Sequence, residues 1–184
     1  MSFKTGLIAA ALVMAAAPVA VAQNCAEDLL AKGEQLHGQG RTILTVKVYT
    51  QALETCEMSD ELAAHIYTRR GIANYAQSHL AEAAADYTAS MNISGKRPTI
   101  ILMKRASALA GSGNDELALR DLNEAIGQEP DKGPLYLMRM STNQRLGNDA
   151  AVEADFALIQ TLDDMSTQWA AYKFMGVDPE ALTQ

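Results

Sequence analysis

RASALAGSGNDELALRDLNEAIGQEPD, Arg105 to Asp131, is the stretch whose reading decides the fold. Two apolar series flank its glycines. Leu102, Ala106 and Leu109 recur at helical spacing before them, and Ala118, Leu122, Ala125 and Ile126 after them. Gly113 is suited to the left-handed conformation that ends a helix, Asn114 or Asp115 to capping the next one, and Pro130 to stopping it. The stretch predicts two amphipathic helices joined by a tight turn.

The same hairpin recurs around it. Shifted 34 residues downstream, Arg105, Gly113, Asp121 and Leu122 fall on Arg139, Gly147, Asp155 and Phe156. A shift of 35 upstream gives Arg70, Ser78, Asp86 and Tyr87, and a further 38 gives Lys32, Gly40, Val48 and Tyr49. The markers move together, as they do when insertions are confined to linkers.

These copies resemble the tetratricopeptide repeat family, from about Ala26 to about Met165. The family pattern sets an aromatic, then leucine and glycine three and four residues on, then tyrosine, then an alanine four residues before a second aromatic, then proline. The second copy offers Tyr67, Arg70, Gly71, Ala83 and Tyr87, and the third Leu102, Ala106, Leu109, Ala118, Leu122 and Pro130. The first offers Leu29, Gly33, Leu36, Thr45, Tyr49 and Ala52; the fourth departs most, with Met140 and Ile159 where small residues are usual. The resemblance implies an all-α, right-handed superhelical solenoid of about four hairpins, at about 26–59, 64–97, 99–132 and 133–165, inside an array spanning 23–165. Small residues at Gly33, Gly71 and Ala106 let paired helices approach, and Ala52, Ser90 and Ala125 let neighbouring hairpins stack. Segment 166–184 is expected to supply a C-terminal capping helix, with Trp169 packed on the fourth copy, and a tail. A partner-docking motif is the alternative for that helix.

Within this frame three pairs stand sixteen residues apart, Arg70 with Asp86, Arg105 with Asp121 and Arg139 with Asp155. That offset runs from the middle of one helix to the middle of the next and predicts structural ion pairs across each hairpin. A charged ligand stripe is the competing reading. Cys25 opens the first copy and Cys56 closes it, so an antiparallel hairpin brings the two together for a disulfide. A redox pair would want a tighter spacing.

The first 22 residues read as a cleavable signal peptide: Lys4, then the apolar run Gly6 to Ala17, Pro18, and Ala20-Val21-Ala22 before a cut after Ala22. The run is short for a membrane span. The expected location is periplasmic or secreted, with no membrane insertion after cleavage. The chain carries a formal charge of −7, and losing Lys4 would make it more negative, which argues against a nucleic-acid partner.

Catalytic and metal-binding patterns are thin. His37, His65 and His79 lack ligand spacing, Gly111-Ser112-Gly113 follows a helix instead of opening one, and the nine methionines read as core filler. No cofactor and no metal are expected. The concave face of such a stack is lined by the first helix of each hairpin and commonly receives a peptide or partner helix in families of this kind. Helical phase aims Glu34 and His37, then Thr68, Ile72 and Tyr75, then Met103 and Ser107, then Leu137, Ser141 and Gln144 into that groove. The lysine–asparagine clamp by which some relatives hold a terminal carboxylate is missing, since Leu30 and Glu34 stand in its place. The resulting expectation is a non-catalytic scaffold that binds a protein or peptide. Self-association into an envelope assembly, and an enzyme or metal carrier built on His37, His65 or the cysteines, are the alternatives.

Overall fold

A computed structural model describes residues 17–177, with side chains from Cys25 onward. Most of the expected signal segment, 1–16, and the tail from Asp178 lie outside the described residues. Within them the chain forms nine helices: α1 (Ala17–Gly38), α2 (Thr42–Thr55), α3 (Asp60–Ala76), α4 (Leu80–Ser94), α5 (Thr99–Gly111), α6 (Asp115–Gln128), α7 (Gly133–Arg145), α8 (Asp149–Ile159) and α9 (Met165–Phe174). Odd and even helices up to α8 pair as hairpins, and each hairpin packs on the next through α2 with α3, α4 with α5, and α6 with α7. The architecture is a helical-repeat solenoid.

Local chemistry sets the boundaries. Ser59 caps α3, its hydroxyl accepting the Leu62 N–H at 3.3 Å, with Asp60 and Glu61 in the positive first turn. Pro134 sits in the first turn of α7, where its missing N–H costs nothing. Asn114 occupies the cap position of α6, yet its amide turns back to Ser112 and makes no cap hydrogen bond, so the expected side-chain cap is absent there.

The turn inside every hairpin is the same. Gly40, Ser78, Gly113 and Gly147 all have positive φ, and the N–H of the following residue bonds a carbonyl five residues back: Arg41 to Leu36, His79 to Asn74, Asn114 to Leu109, Asn148 to Asn143. This closure satisfies carbonyls that a helix end leaves open. Ser78, at φ 61°, is the one member with a side chain. Helix approach inside the hairpins depends on small residues: a Cβ on Gly71 would lie 2.9 Å from the Tyr87 ring, and one on Gly33 2.1 Å from the Tyr49 ring.

The core follows the repeat. Tyr49, Tyr87 and Leu122, at one repeat position, are buried, as are Ala52, Ala83, Ala106, Ala118 and Ala125. Met140 and Ile159, large where the pattern calls for small, are also buried and form the last cluster with Tyr136, Val152 and Ala171. Extra volume there accompanies a change of packing, because α9 covers this end of the stack. It docks by Thr167 and Ala171, with Phe174 and an edge-on Tyr172–Phe156 pair beside them. Trp169 does not pack as expected. It lies about 200° around the helix from Thr167, is 37% exposed and stays outside the apolar cluster that α9 joins.

Three arginines tie the hairpins together. Arg105 holds Asp121 through Nε–Oδ2 at 2.7 Å and Nη2–Oδ1 at 2.6 Å. Arg70 and Arg139 hold Asp86 and Asp155 in the same forked way, with Nη2–Oδ1 at 2.6 and 2.5 Å. Each guanidinium has a third arm that reaches the preceding hairpin: Arg70 Nη1 donates to Thr50 at 3.1 Å, Arg105 to Thr88 at 3.0 Å, Arg139 to Asn123 at 2.6 Å. These acceptors share a repeat position on α2, α4 and α6. A planar five-donor head suits a three-way junction, which a lysine ammonium could not fill in the same geometry. The first hairpin has Lys32 and Val48 at the corresponding positions, and its ends are joined instead by a Cys25–Cys56 disulfide, with Cα atoms 5.8 Å apart.

Candidate functional site

Across hairpins the first helices approach each other, α1 with α3 and α5 with α7, which makes them the lining of the inner face. Three adjoining cavities of about 260, 210 and 380 Å³ run along this face. The first lies between α1 and α3, bounded by Glu34, His37, Arg69 and Ile72 over the Tyr49 ring. The middle one lies among Ile72, Tyr75, Met103, Lys104, Ser107 and Met138, with Tyr87 at its base. The third continues past Tyr75, Ser107 and Met138 to Ser141 and Arg145. Because Ile72 is common to the first two and Tyr75, Ser107 and Met138 to the last two, the cavities form one trough. Its floor is mostly apolar, and its rims carry hydroxyls and charges.

Seven of the expected groove residues meet there: Glu34, His37, Ile72, Tyr75, Met103, Ser107 and Ser141. Thr68, Leu137 and Gln144 do not. Thr68 Oγ1 lies 2.8 Å from Ser90 Oγ, turned toward the second helix of its own hairpin. Leu137 joins the apolar cluster at the C-terminal end of the stack, among Tyr136, Met140 and Phe174. Gln144 is exposed and lines none of the three cavities. Thr68, Met103 and Leu137 share one repeat position, yet only Met103 lines the trough, Thr68 meeting its own second helix and Leu137 the terminal cluster. One residue on is a rotation of about 100°, which brings Met138 into the trough where Leu137 leaves it. Lys104, Arg69 and Arg145 also line it and were missed by sequence reasoning. Lys104 and Met138 are 34 residues apart, so the repeat register carried their signal.

Charge along the trough is uneven. Arg69 faces Glu34 at 3.0 Å and donates through Nε to His65 Nε2 at 3.3 Å. Arg145 holds Asp115 at 2.6 Å. Lys104 has no ion-pair partner among the described residues. Burial pushes the Tyr87 phenol far above its ordinary range, helped by Tyr75 and Asp86, and burial, then Glu34, pushes Tyr49 up against the opposing pull of Arg69. Both rings therefore present neutral hydroxyls. Among the described residues no group of three or more His, Cys, Asp or Glu side chains is placed to hold a metal, and no helix is long and apolar enough to cross a membrane.

No protein-family model and no curated protein sequence matches the chain. Solved structures do. A tetratricopeptide repeat protein from Parabacteroides merdae matches at a TM-score of 0.69 and 24% identity over 83% of this chain, which spans 61% of that protein. YrrB, described as a TPR protein with an unusual peptide-binding site, matches at 0.62 and 16% over 84% of this chain and 80% of its own. The first TPR domain of Spaghetti (RPAP3), bound to an HSP90 peptide, matches at 0.53 and 20% over 68% of this chain and 98% of its own. At these identities the likeness is one of architecture: the chain has the stacked-hairpin, all-helical fold of the tetratricopeptide repeat proteins.

Proposed function

We propose that this chain is a non-catalytic interaction scaffold that takes a peptide or a segment of a partner protein in the trough along α1, α3, α5 and α7. The observation that carries this reading is the continuity of the three cavities over an apolar floor, with Tyr75 projecting from it 43% exposed. Tyrosine is among the residues that carry most of the energy where one protein grips another, and methionine adapts its shape to the partner it meets. The peptide-binding descriptions of YrrB and the RPAP3 domain support it by likeness of fold. Replacing Tyr75 and Met138 together by alanine should release a co-purified partner while far-UV circular dichroism stays unchanged. A partner that remains bound would place the interface elsewhere.

We further propose export through the amino-terminal segment, and the Cys25–Cys56 disulfide supports it, because such bonds persist in oxidising compartments. A periplasmic protein whose first residue is Gln23 is expected by mass spectrometry. Recovery of the uncleaved chain from the cytoplasm would overturn this. Self-association is a second reading favoured by α9, which leaves Met165 65% and Trp169 37% exposed at the end of the stack. Light scattering over a concentration series tests it, and a constant monomer mass would dismiss it.

A further inference from the structure

Gly176 closes α9 in the way that a first helix is closed inside each hairpin. Its φ is 74°, and the Val177 N–H reaches the Tyr172 carbonyl, five residues back, at 2.9 Å. Among the described residues this closure is shared with Gly40, Ser78, Gly113 and Gly147, and at each of those a second helix starts two residues later. Gly95 also has positive φ, but it ends a second helix, and there the Lys96 N–H goes to Ser94 Oγ. Counted from Gly176, α9 keeps the register of a first helix. Ala171 falls with Ala73, Ala108 and Thr142 and is buried like them. Trp169 falls with Gly33, Gly71, Ala106 and Met140, the position that meets the second helix of its own hairpin, since Gly33 lies against Tyr49 and Gly71 against Tyr87. Met165, one turn earlier, falls with the buried Leu102 and Tyr136. Both Met165 and Trp169 are exposed, so the open face of α9 is the one that a second helix covers elsewhere.

We infer that residues 178–184 supply that second helix and cover Trp169, completing a short fifth hairpin at the end of the stack. Their sequence fits the register. Asp178 falls with Asp115 and Asp149 at the first helical position, where a carboxylate is favoured. Pro179 follows in the same turn, where its missing N–H costs nothing. Val177 offers no side-chain cap, but neither do Arg41, His79, Asn114 or Asn148 at that place. Ala181 falls with Thr45, Ala83, Ala118 and Val152, all buried, and Glu180 with Leu44, Glu82, Leu117 and Ala151, none of them buried. Gln168 and Gln184 stand sixteen residues apart at the arginine and aspartate positions, so an amide pair takes the place of the ion pair. Two turns of helix are not stable alone in water, so the segment depends on the apolar area that the Trp169 indole offers. The inference does not rest on the trough. It runs against self-association through this end, because it withdraws Met165 and Trp169 from a second molecule.

The full chain and a chain stopped after Val177 test it, compared at a concentration where light scattering gives the monomer mass. Trp169 is the only tryptophan and reports directly. Stopping the chain should shift its emission to the red and raise its quenching by acrylamide. Ala181→Glu should do the same, because a small buried position cannot take an unpaired charge, while Glu180→Gln should leave both readings unchanged. Gln168→Arg and Gln184→Asp together should raise the melting temperature by more than the two single changes add up to, as a rebuilt fork requires. Equal emission and quenching in the full and stopped chains would overturn the inference, as would an Ala181→Glu chain that keeps Trp169 shielded or an additive Arg–Asp pair. A Trp169 shielded only at high concentration, with a doubled mass, would assign the face to a second copy and also overturn it. Each of these results leaves the trough reading standing.

Discussion

Arg105→Ala should be among the most damaging single substitutions in the chain, although no catalytic role attaches to the residue. The Asp121 side chain is 3% exposed and that of Arg105 15%, so the pair is removed from water on one side and nearly so on the other. Truncating the arginine leaves a buried carboxylate with, among the described residues, only the Arg97 cation nearby, its Nη2 at 3.8 Å. Breaking a buried pair by deleting one partner costs about 3–5 kcal/mol, against about 0–1 kcal/mol for an exposed one. The lost bond to Thr88 adds to this, since it is one of the few polar ties between the second and third hairpins. For a chain of this length the loss corresponds to a melting temperature lower by about 6–20 °C. Urea unfolding followed at 222 nm measures it. Arg105→Lys should fall between the two, because a lysine keeps the charge but not the three-way geometry. The double replacement Arg105→Met, Asp121→Leu should recover most of the stability, since both charges leave together. A cost below about 1 kcal/mol for Arg105→Ala would mean that water reaches Asp121, and the reasoning from burial would fail.

Three further expectations use other parts of the fold. Reducing the disulfide, or replacing Cys25 and Cys56 by serine, should cost about 3–4 kcal/mol for a loop of 31 residues, and hydrogen exchange should rise first in α1 and α2. Exchange that rises evenly over the stack would contradict a local role. Ser78→Gly should stabilise by about 0.5–1 kcal/mol, the left-handed strain of about 1–2 kcal/mol less the glycine's entropic cost; an unfolding midpoint that moves down would refute it. The Asp164 carboxyl is held at about 2, below its ordinary 3.8, by the Thr167 hydroxyl, then the Ser166 hydroxyl and the Thr167 N–H, at the start of α9. A depressed carboxyl stabilises above its ordinary range and loses that contribution as pH falls from about 4 toward 2. Trp169 is the only tryptophan and rides on α9, so its fluorescence should hold steady from pH 8 to 5 and change only in that acid window. In Asp164→Ala it should already be altered at neutral pH, and an identical profile in the two proteins would refute the link.

The repeat was legible because backbone constraints leave visible letters. Positive φ at one point per hairpin demands glycine or an unusual substitute, and Gly40, Ser78, Gly113 and Gly147 show it at offsets of 38, 35 and 34. The Arg–Asp spacing was readable for the same reason, as one helix length plus one turn. Thr50, Thr88 and Asn123 stood in the same register but differ in type, and only the distance between hairpins reveals that all three accept from a guanidinium. The inner face was harder to read. Met138 against Leu137 is a difference of one residue in phase, settled by α9 arriving over the end of the stack. Trp169 shows the same limit: a large apolar side chain predicts burial, yet the small Thr167 and Ala171 allow the closer approach and take the contact.

The substitution of Lys32 and Val48 for the arginine and aspartate gives the leading hairpin a dependence its siblings lack. Downstream, each unit latches itself and its predecessor by proton-sharing contacts that form wherever water and salt are ordinary. The leading unit is fastened by a bond that only an oxidant can make. Its cohesion is thus tied to the chemistry of the surroundings, so that a freshly made chain in a reducing medium would carry a loose first hairpin, and with it an unfinished wall for the cavity beneath Glu34 and His37.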